Sequence, residues 1–330
     1  MNTAFKLMWR LFLTGTALLT SGQAIAAGFY LVQMGTPLSI GTVGVTNTVN
    51  NWGADSAWSQ PAGMVDLEED SVGVAGLTLL VPKMEFDSSV AEAGGSDGGN
   101  AGEIAAIPSG LLVKRLSDKT SVGLAITAPL GGAMDYGEDF VGRYGAQKVS
   151  LQGLGISPSV GYRVNDDLAV GAGVSFIYTL FEEDVAINTP GPDGQAELED
   201  LDDWGYQPFV GLTYAISDRT MLGVVYRAEM DVDLEGDVDV SGAPPSGGRA
   251  KLGWNNPQWL EASLRFDLDD DYFLATNLGW QDWSEFSENR LEVSPGVTVL
   301  DRKFEDTWRV GMAFGQFDGS SGWSTGFSYD

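Results

Sequence analysis

Chemistry near neutral pH in this chain would have to come from carboxylates. There are 46 Asp and Glu residues, no His and no Cys. Nucleophilic triads of the Ser-His-Asp or Cys-His kind, thiolate metal sites and imidazole metal sites are therefore excluded. The nearest approach to an acid–base pair is Asp231 with Asp233. Two carboxylates can share such work when their environments separate their pKa values. These two alternate with Val232 and Leu234, so a strand would turn both toward water. Other acids fall in runs: Asp66-Leu67-Glu68-Glu69-Asp70, Glu182 to Asp184, Glu197 to Asp203 and Asp267 to Asp271. Such runs suit solvated loops and turns; the alternative is a calcium bridge to an anionic outer leaflet. The glycine-rich stretch Gly94-Gly95-Ser96-Asp97-Gly98-Gly99 lacks the Lys of a phosphate cradle and suits a flexible loop. No catalytic residue, metal or cofactor is expected.

The formal net charge is −28, and losing Lys6 and Arg10 with an export signal would make it more negative. Nucleic acid is thereby excluded as a partner. Residues 1–26 have the form of that signal. A charged start precedes the apolar run Leu11 to Leu19, too short to span a bilayer, and Ala24-Ile25-Ala26 offers a small-x-small cleavage site. No later stretch reaches the roughly 20 apolar residues of a spanning helix.

What must position any site is a set of alternating segments. From Leu168 one parity reads Leu168, Val170, Ala172, Val174, Phe176, and the other Ala169, Gly171, Gly173, Ser175. From Leu222 the apolar parity is interleaved with Gly223, Val225, Arg227 and Glu229. Successive side chains of a strand face opposite ways, so each segment has a greasy face and a small or charged one. In a membrane barrel the greasy face meets lipid and the other lines the lumen.

Eleven strands are predicted, at Ser71–Val81, Ile107–Leu116, Thr120–Ala128, Val149–Val164, Leu168–Ile187, Trp204–Ile216, Met221–Val240, Gln258–Leu268, Tyr272–Leu291, Thr307–Phe317 and Gly322–Tyr329. Short joints alternate with long loops, the two-ended asymmetry of outer-membrane barrels. Because such barrels have even strand numbers, the sequence is expected to be incomplete at its C-terminus. Tyr162, Tyr178, Trp204, Tyr214, Tyr226, Trp259, Trp280, Trp283, Trp308 and Trp323 are expected at the interface girdle, or reflect the strand propensity of aromatics. Residues 27–69 lack strand periodicity and precede the sheet.

That leading segment resembles the hatch of the long-chain fatty acid transport protein (FadL/TodX) family. The carriers are Ala27-Gly28-Phe29 and Gly53-Ala54-Asp55-Ser56-Ala57 with Ser59-Gln60-Pro61-Ala62-Gly63-Met64, in which Gln60 and Ala54 replace the family's usual Asn and Asp. Further on, Ala128-Pro129-Leu130-Gly131, Phe140-Val141-Gly142-Arg143-Tyr144, Pro158 to Val164, Trp283 to Phe286 and Asp306 to Gly311 are similar to family segments in the same order. The resemblance implies an all-β transmembrane barrel of about fourteen strands, some eleven of them present here. It also implies a signal at 1–26, a lumen-plugging hatch at 27–69 and a barrel at 70–330.

The implied function is passive outer-membrane transport of long-chain fatty acids or hydrocarbons, with a kinked third strand opening the wall sideways. The alternative is a water-filled general porin. An enzyme of lipid is not supported without His. The resemblance assigns Asp55, Pro61, Ala62 and Gly63 as pins of the hatch. Phe29, Leu31, Met34 and Leu38 touch either the ligand or the barrel. Pro129, Gly131 and Gly132 form the kink, unless Pro129 merely ends its strand. Phe140 and Arg143 lie in a loop, where Arg143 pairs with a ligand carboxylate or with Glu138 or Asp139. Outer-membrane lipid and lipopolysaccharide are expected neighbours, and the protein is expected as a monomer in a Gram-negative outer membrane.

Overall fold

A computed structural model describes residues 36–87, 94–242, 246–286, 288–293, 296–301, 304–317 and 321–330. Two short helices come first, α1 (Pro37–Gly41) and α2 (Ser56–Ser59), each followed by a 3-10 turn, at Asn47–Val49 and Pro61–Asp66. The strands then run β1 (Ser71–Leu80), β2 (Ala105–Ser117), β3 (Thr120–Asp135), β4 (Lys148–Arg163), β5 (Leu168–Ile187), β6 (Gly194–Ser217), β7 (Thr220–Arg227), β8 (Met230–Ser241), β9 (Ser246–Asn256), β10 (Trp259–Asp267), β11 (Tyr272–Gln281), β12 (Glu288–Val293), β13 (Gly296–Asp301), β14 (Thr307–Phe317) and β15 (Gly322–Tyr329).

Eleven of these strands form the wall, in the antiparallel order β1-β2-β3-β4-β5-β6-β7-β10-β11-β14-β15. The remaining four leave it. β8 pairs with the far half of β6, β9 with β8, β12 with β9 and β13 with β12. They extend the sheet beyond the long-loop end. Four expectations need correction here. Met221–Val240 is two strands rather than one, because the chain departs from the wall after Arg227. Tyr272–Leu291 is likewise interrupted, by the 3-10 turn Trp283–Phe286. Between Ser241 and Pro257, where no strand is expected, the chain forms β9. β3 also continues past Ala128 to Asp135.

The wall is greasy outside. Leu124, Ile126, Ile156, Val160, Phe176, Val210, Leu260, Leu278 and Val310 are exposed, while their strand neighbours of the other parity are buried or small. Lipid is the one solvent in which such a face is stable, and ladder pairing satisfies the backbone it covers. Most of the expected girdle is also on this face, including Tyr162, Trp204, Tyr214, Trp308 and Trp323. Trp259 and Trp283 are not: both are buried, Trp259 on the inward parity of β10 opposite Arg227, and Trp283 in the 3-10 turn after β11, packed on Phe286 and Phe304.

Of the acidic runs, Asp267 to Asp271 builds a turn as expected, whereas Glu182 to Asp184 and Glu197 to Asp203 lie within β5 and β6, where the two strands run on past the wall and their acids stand on the extended sheet. Asp269 accepts from the Asp271 and Tyr272 amides (3.0 and 2.8 Å), and Asn165 caps the β4–β5 turn in the same way.

The inner face is small where the leading segment passes. A Cβ on Gly223 would lie 1.7 Å from the Thr48 carbonyl oxygen, and one on Gly171 2.5 Å from the Ala62 nitrogen. Gly123, Gly161, Gly211, Gly311 and Gly326 make similar approaches to hatch atoms. Residues 36–67 thus thread the lumen, touching β2 to β7, β10, β14 and β15.

The hatch, the lumen above it and a gap in the wall

The hatch is held first by its own side chains. Thr36 caps α1, with Pro37 in the first turn. The Thr36 amide and hydroxyl both donate to Asp55 Oδ2 (3.1 and 3.2 Å), joining the starts of the two helices. Gly63 sits where a Cβ would fall 2.0 Å from the Asn50 carbonyl oxygen. Pro61 presses its carbonyl against Gly161, and Ala62 packs with Val65 and Ala169.

Gln60 ties this knot to the wall. The two hydrogens of its Nε2 are shared among the Thr48, Leu212 and Val224 carbonyls (2.5, 3.0 and 3.4 Å), while Oε1 accepts from the Ala62 amide (3.3 Å). The last two of the three carbonyls lie on β6 and β7. An Asn at this position would be one methylene short of that reach.

Five wall arginines complete the attachment, each donating to a different hatch carbonyl. Arg115 reaches Leu67, Arg163 reaches Val65 (2.6 Å), Arg227 reaches Trp58, Arg265 reaches Val49 (3.4 Å) and Arg309 reaches Val43. Arg163 also pairs with Asp66 at 2.9 Å, and Arg265 with Asp267 at 3.0 Å. Arg227 is wholly buried, with its guanidinium 4.6, 4.1 and 5.5 Å from the ring centres of Trp58, Phe209 and Trp259. A guanidinium suits this duty, since it presents several donors on a flat, weakly hydrated face that stacks on aromatics. The expectations overlooked these arginines as a set. Parity could have found them: Arg163 follows Gly161 by two, Arg227 follows Gly223 by four, and Arg309 precedes Gly311 by two.

Above the hatch the lumen is two-sided. On the β2–β5 side Leu111, Leu130, Leu151, Ile177 and Phe181 continue the apolar surface of Ala57, Trp58 and Met64, and Trp254 and Phe286 of the extension join them. On the β10–β14 side the buried groups include Glu261, Asn277 and Arg309, with Asn277 donating to Glu261 at 2.8 Å.

The apolar side has a gap. β2 and β3 pair from Ser117↔Thr120 up to Gly110↔Ile126, where their ladder ends. β2 keeps its ladder with β1 as far as Ala105, and β3 keeps its own with β4 as far as Asp135. The next contact between the two edges is the isolated bridge Gly102↔Met134. At the foot of the gap β3 uses four residues, Thr127 to Leu130, against three on β4, Gly155 to Gly153. This is a bulge, and it holds Pro129, which has no N–H to offer a neighbour. Pro129 and Leu130 are both buried, so the inside–outside alternation breaks there. Gly131 and Gly132 follow, opposite Gln152 and Leu151.

The sequence-predicted residues fall in three places. Asp55, Pro61, Ala62 and Gly63 meet in the hatch, and Leu38 packs beside Val45, Phe273, Ala275 and Ala313. Pro129, Gly131 and Gly132 line the gap. Phe140 and Arg143 lie apart in the long-loop region. There Phe140 stacks on Tyr136 (4.2 Å) and meets Phe86 edge-on (5.3 Å). The ion pair of Arg143 is with Asp193, at 2.8 Å, rather than with Glu138 or Asp139; the distant β5–β6 connection folds back to supply it. Tyr144 donates to the same carboxylate. These bonds hold the Asp193 carboxyl below its usual range and the Arg143 guanidinium above its own. Phe29, Leu31 and Met34, and the signal segment, lie outside the described residues.

The match to a family model of outer membrane protein transport proteins (OMPP1/FadL/TodX) covers residues 17–330. The chain is 23% identical over 360 residues to the long-chain fatty acid transport protein of Escherichia coli O6:H1, spanning 94% of this chain and 79% of that one. Among solved structures, a FadL homologue of Pseudomonas aeruginosa superposes with a TM-score of 0.77 at 19% identity, covering 92% of this chain and 81% of the other. The Ralstonia pickettii toluene transporter TbuX gives 0.73 at 19% identity, covering 90% and 86%. These structures share its barrel fold, and with the plugged, lipid-facing wall and the family match they establish that the chain belongs to the OMPP1/FadL/TodX family of Gram-negative outer-membrane transport proteins.

Proposed function

We propose that this protein carries long-chain fatty acids or hydrocarbons across the outer membrane by passive diffusion, releasing them sideways through the gap between β2 and β3. The observation that carries this reading is the gap itself, open beside a hatch bolted in place. A solute entering from the long-loop side meets apolar surface on the β2–β5 half of the lumen and hydrogen-bonded polar groups on the other half. Burying acyl chain is worth about 0.8 kcal/mol per methylene, so the apolar half draws the solute toward the gap without many polar contacts. No energy source is needed for a solute that moves down its gradient. Leu38 is packed against β11 and β14, so its part is to seat the hatch on the wall; solute contact from the leading segment would fall to Phe29, Leu31 and Met34. Pro129, Gly131 and Gly132 would keep the ladder from closing. Phe140 and Arg143 would shape the entry. A general porin needs a water-filled lumen, and here five arginines hold a plug in it. No step calls for catalysis.

Continuing the β2–β3 register past Gly110↔Ile126 sets Pro108 opposite Ala128. The chain has no Cys of its own, so a Pro108→Cys/Ala128→Cys pair can be joined by a short bis-thiol reagent. Uptake of a labelled fatty acid by outer-membrane vesicles should fall to background on cross-linking, and either single variant should be unaffected. Uptake that persists through the bridged wall would refute sideways release.

A further inference from the structure

The wall beside the gap holds two polar atoms that the hatch does not use. Thr127 and Thr179 are wholly buried, and neither hydroxyl has a hydrogen-bond partner. Both face inward. Thr127 shares the parity of Gly123, which abuts Ala57 and Met64 of the hatch, and Thr179 shares that of Gly171, which abuts Ala62. Buried hydroxyls in native proteins are almost always bonded, so two orphans on one path call for a partner.

Their placement suggests which. The β3–β4–β5 register puts Thr127, Gly155 and Ile177 in one row, and Leu130, Gly153 and Thr179 in the next. The two hydroxyls thus stand at opposite corners of a patch with a floor of two glycines, and aliphatic side chains take the other corners. Leu130 leans over that floor: a Cβ on Gly153 would lie 2.7 Å from the Leu130 Cβ. From strand spacing and rise, the two threonine backbones are roughly 12 Å apart. One oxygen cannot touch both hydroxyls at once, but a moving one can touch them in turn, Thr179 within the lumen and then Thr127 at the edge of the gap. No Lys or Arg belongs to the patch, and the β7 guanidinium that reaches β5, Arg227, is spent on Trp58 and Ser175.

We infer that Thr179 and Thr127 are successive stations for a single uncharged oxygen on an otherwise apolar solute, so that the wall selects long-chain alcohols or ketones over bare hydrocarbons of the same length. The inference rests on sideways release and extends its substrates to apolar chains that carry one uncharged oxygen. Hydroxyls that are costly to bury unbonded are satisfied when such an oxygen passes, and stay unsatisfied when an alkane does.

The test compares uptake of hexadecanol and hexadecane by outer-membrane vesicles carrying the full-length protein, against vesicles without it. The wild type should favour the alcohol by about tenfold. Thr127→Val/Thr179→Val should bring alcohol uptake down to the alkane rate and leave alkane uptake unchanged. Thr127→Ser/Thr179→Ser, which keeps both hydroxyls, should keep the preference, so a loss confined to the Val pair is not misfolding. Equal uptake of the two probes by the wild type, or a preference that survives in the Val pair, would overturn the inference and leave sideways release standing. Failure of both probes to enter faster than in empty vesicles would overturn the transport reading and this inference with it.

Discussion

Replacing Arg227 by Met tests the claim that wall arginines hold the hatch. The wild-type guanidinium donates to the Trp58 carbonyl and to Ser175 Oγ (3.2 Å), and lies against three aromatic rings. Its removal leaves a buried carbonyl without its donor, a loss of about 1–3 kcal/mol. Loss of the cation–ring contacts adds roughly 1–2 kcal/mol. Met fills part of the volume and relieves the desolvation of a buried charge, which offsets some of this. A net loss of about 3 kcal/mol corresponds to about a hundredfold rise in the detached hatch population. Residues 36–66 contain no Lys or Arg but do contain Trp52 and Trp58, so chymotrypsin is the suitable probe. When opening and closing are fast relative to cleavage, the cutting rate follows the open population. Cleavage after Trp58 should therefore rise about a hundredfold in Arg227→Met, while heat-modifiable migration on gels shows the barrel still folded. A cutting rate within threefold of wild type would refute the reasoning.

Other outcomes follow from the same contacts. Gln60→Leu removes both amide hydrogens that hold backbone carbonyls and should loosen the hatch by about 2–3 kcal/mol, read as faster chymotrypsin cleavage; Gln60→Asn should give a smaller change of the same sign. Gly223→Val should prevent the hatch from seating, because a Cβ there meets the Thr48 carbonyl, whereas Gly110→Ala should assemble normally, since no atom lies within 4 Å of its added Cβ; the yield of heat-modifiable barrel distinguishes them. For the outer loop, the Asp193 carboxyl is held below the usual value of about 3.9. Its pairing therefore stabilises the fold above that pH, and the contribution disappears as pH falls through the lowered value. Hydrogen exchange across residues 137–147, corrected for intrinsic rates, should be constant from pH 8 to pH 5, and Asp193→Asn should lose protection throughout that range.

The wall was legible in the sequence because its signal is local. Alternation at Leu168 and Leu222 reports two faces, and the eleven expected strands fall on the eleven wall strands, with shifted ends. The extension was not legible for the same reason. β8 alternates Asp231, Asp233, Glu235 and Asp237 with Val232, Leu234 and Val238, which fits a lumen-facing strand as well as one that has left the barrel. Only the pairing of Glu197 with Asp239 and of Leu198 with Val238 places it beyond the wall. β9, with three Gly and only Ala250, Leu252 and Trp254 as apolar residues, has too little apolar periodicity to be seen alone. Of the site, the hatch motif and the Pro129 kink were visible through family resemblance. The partners of Arg143 and Arg227 were not, since contacts fifty and more residues apart leave no trace in spacing. The parity of each wall arginine with a glycine was present but carried meaning only once the small face was known to carry the hatch.

The central claim is that solute passes a hatch that stays in place. Thr48 Oγ1 donates to Ser263 Oγ at 2.7 Å, close enough for a Thr48→Cys/Ser263→Cys disulfide to lock hatch to wall. Fatty-acid uptake by vesicles with the lock oxidised should equal that with it reduced. Uptake that stops on oxidation and returns on reduction would mean that the hatch must move out of the way, and would contradict the account.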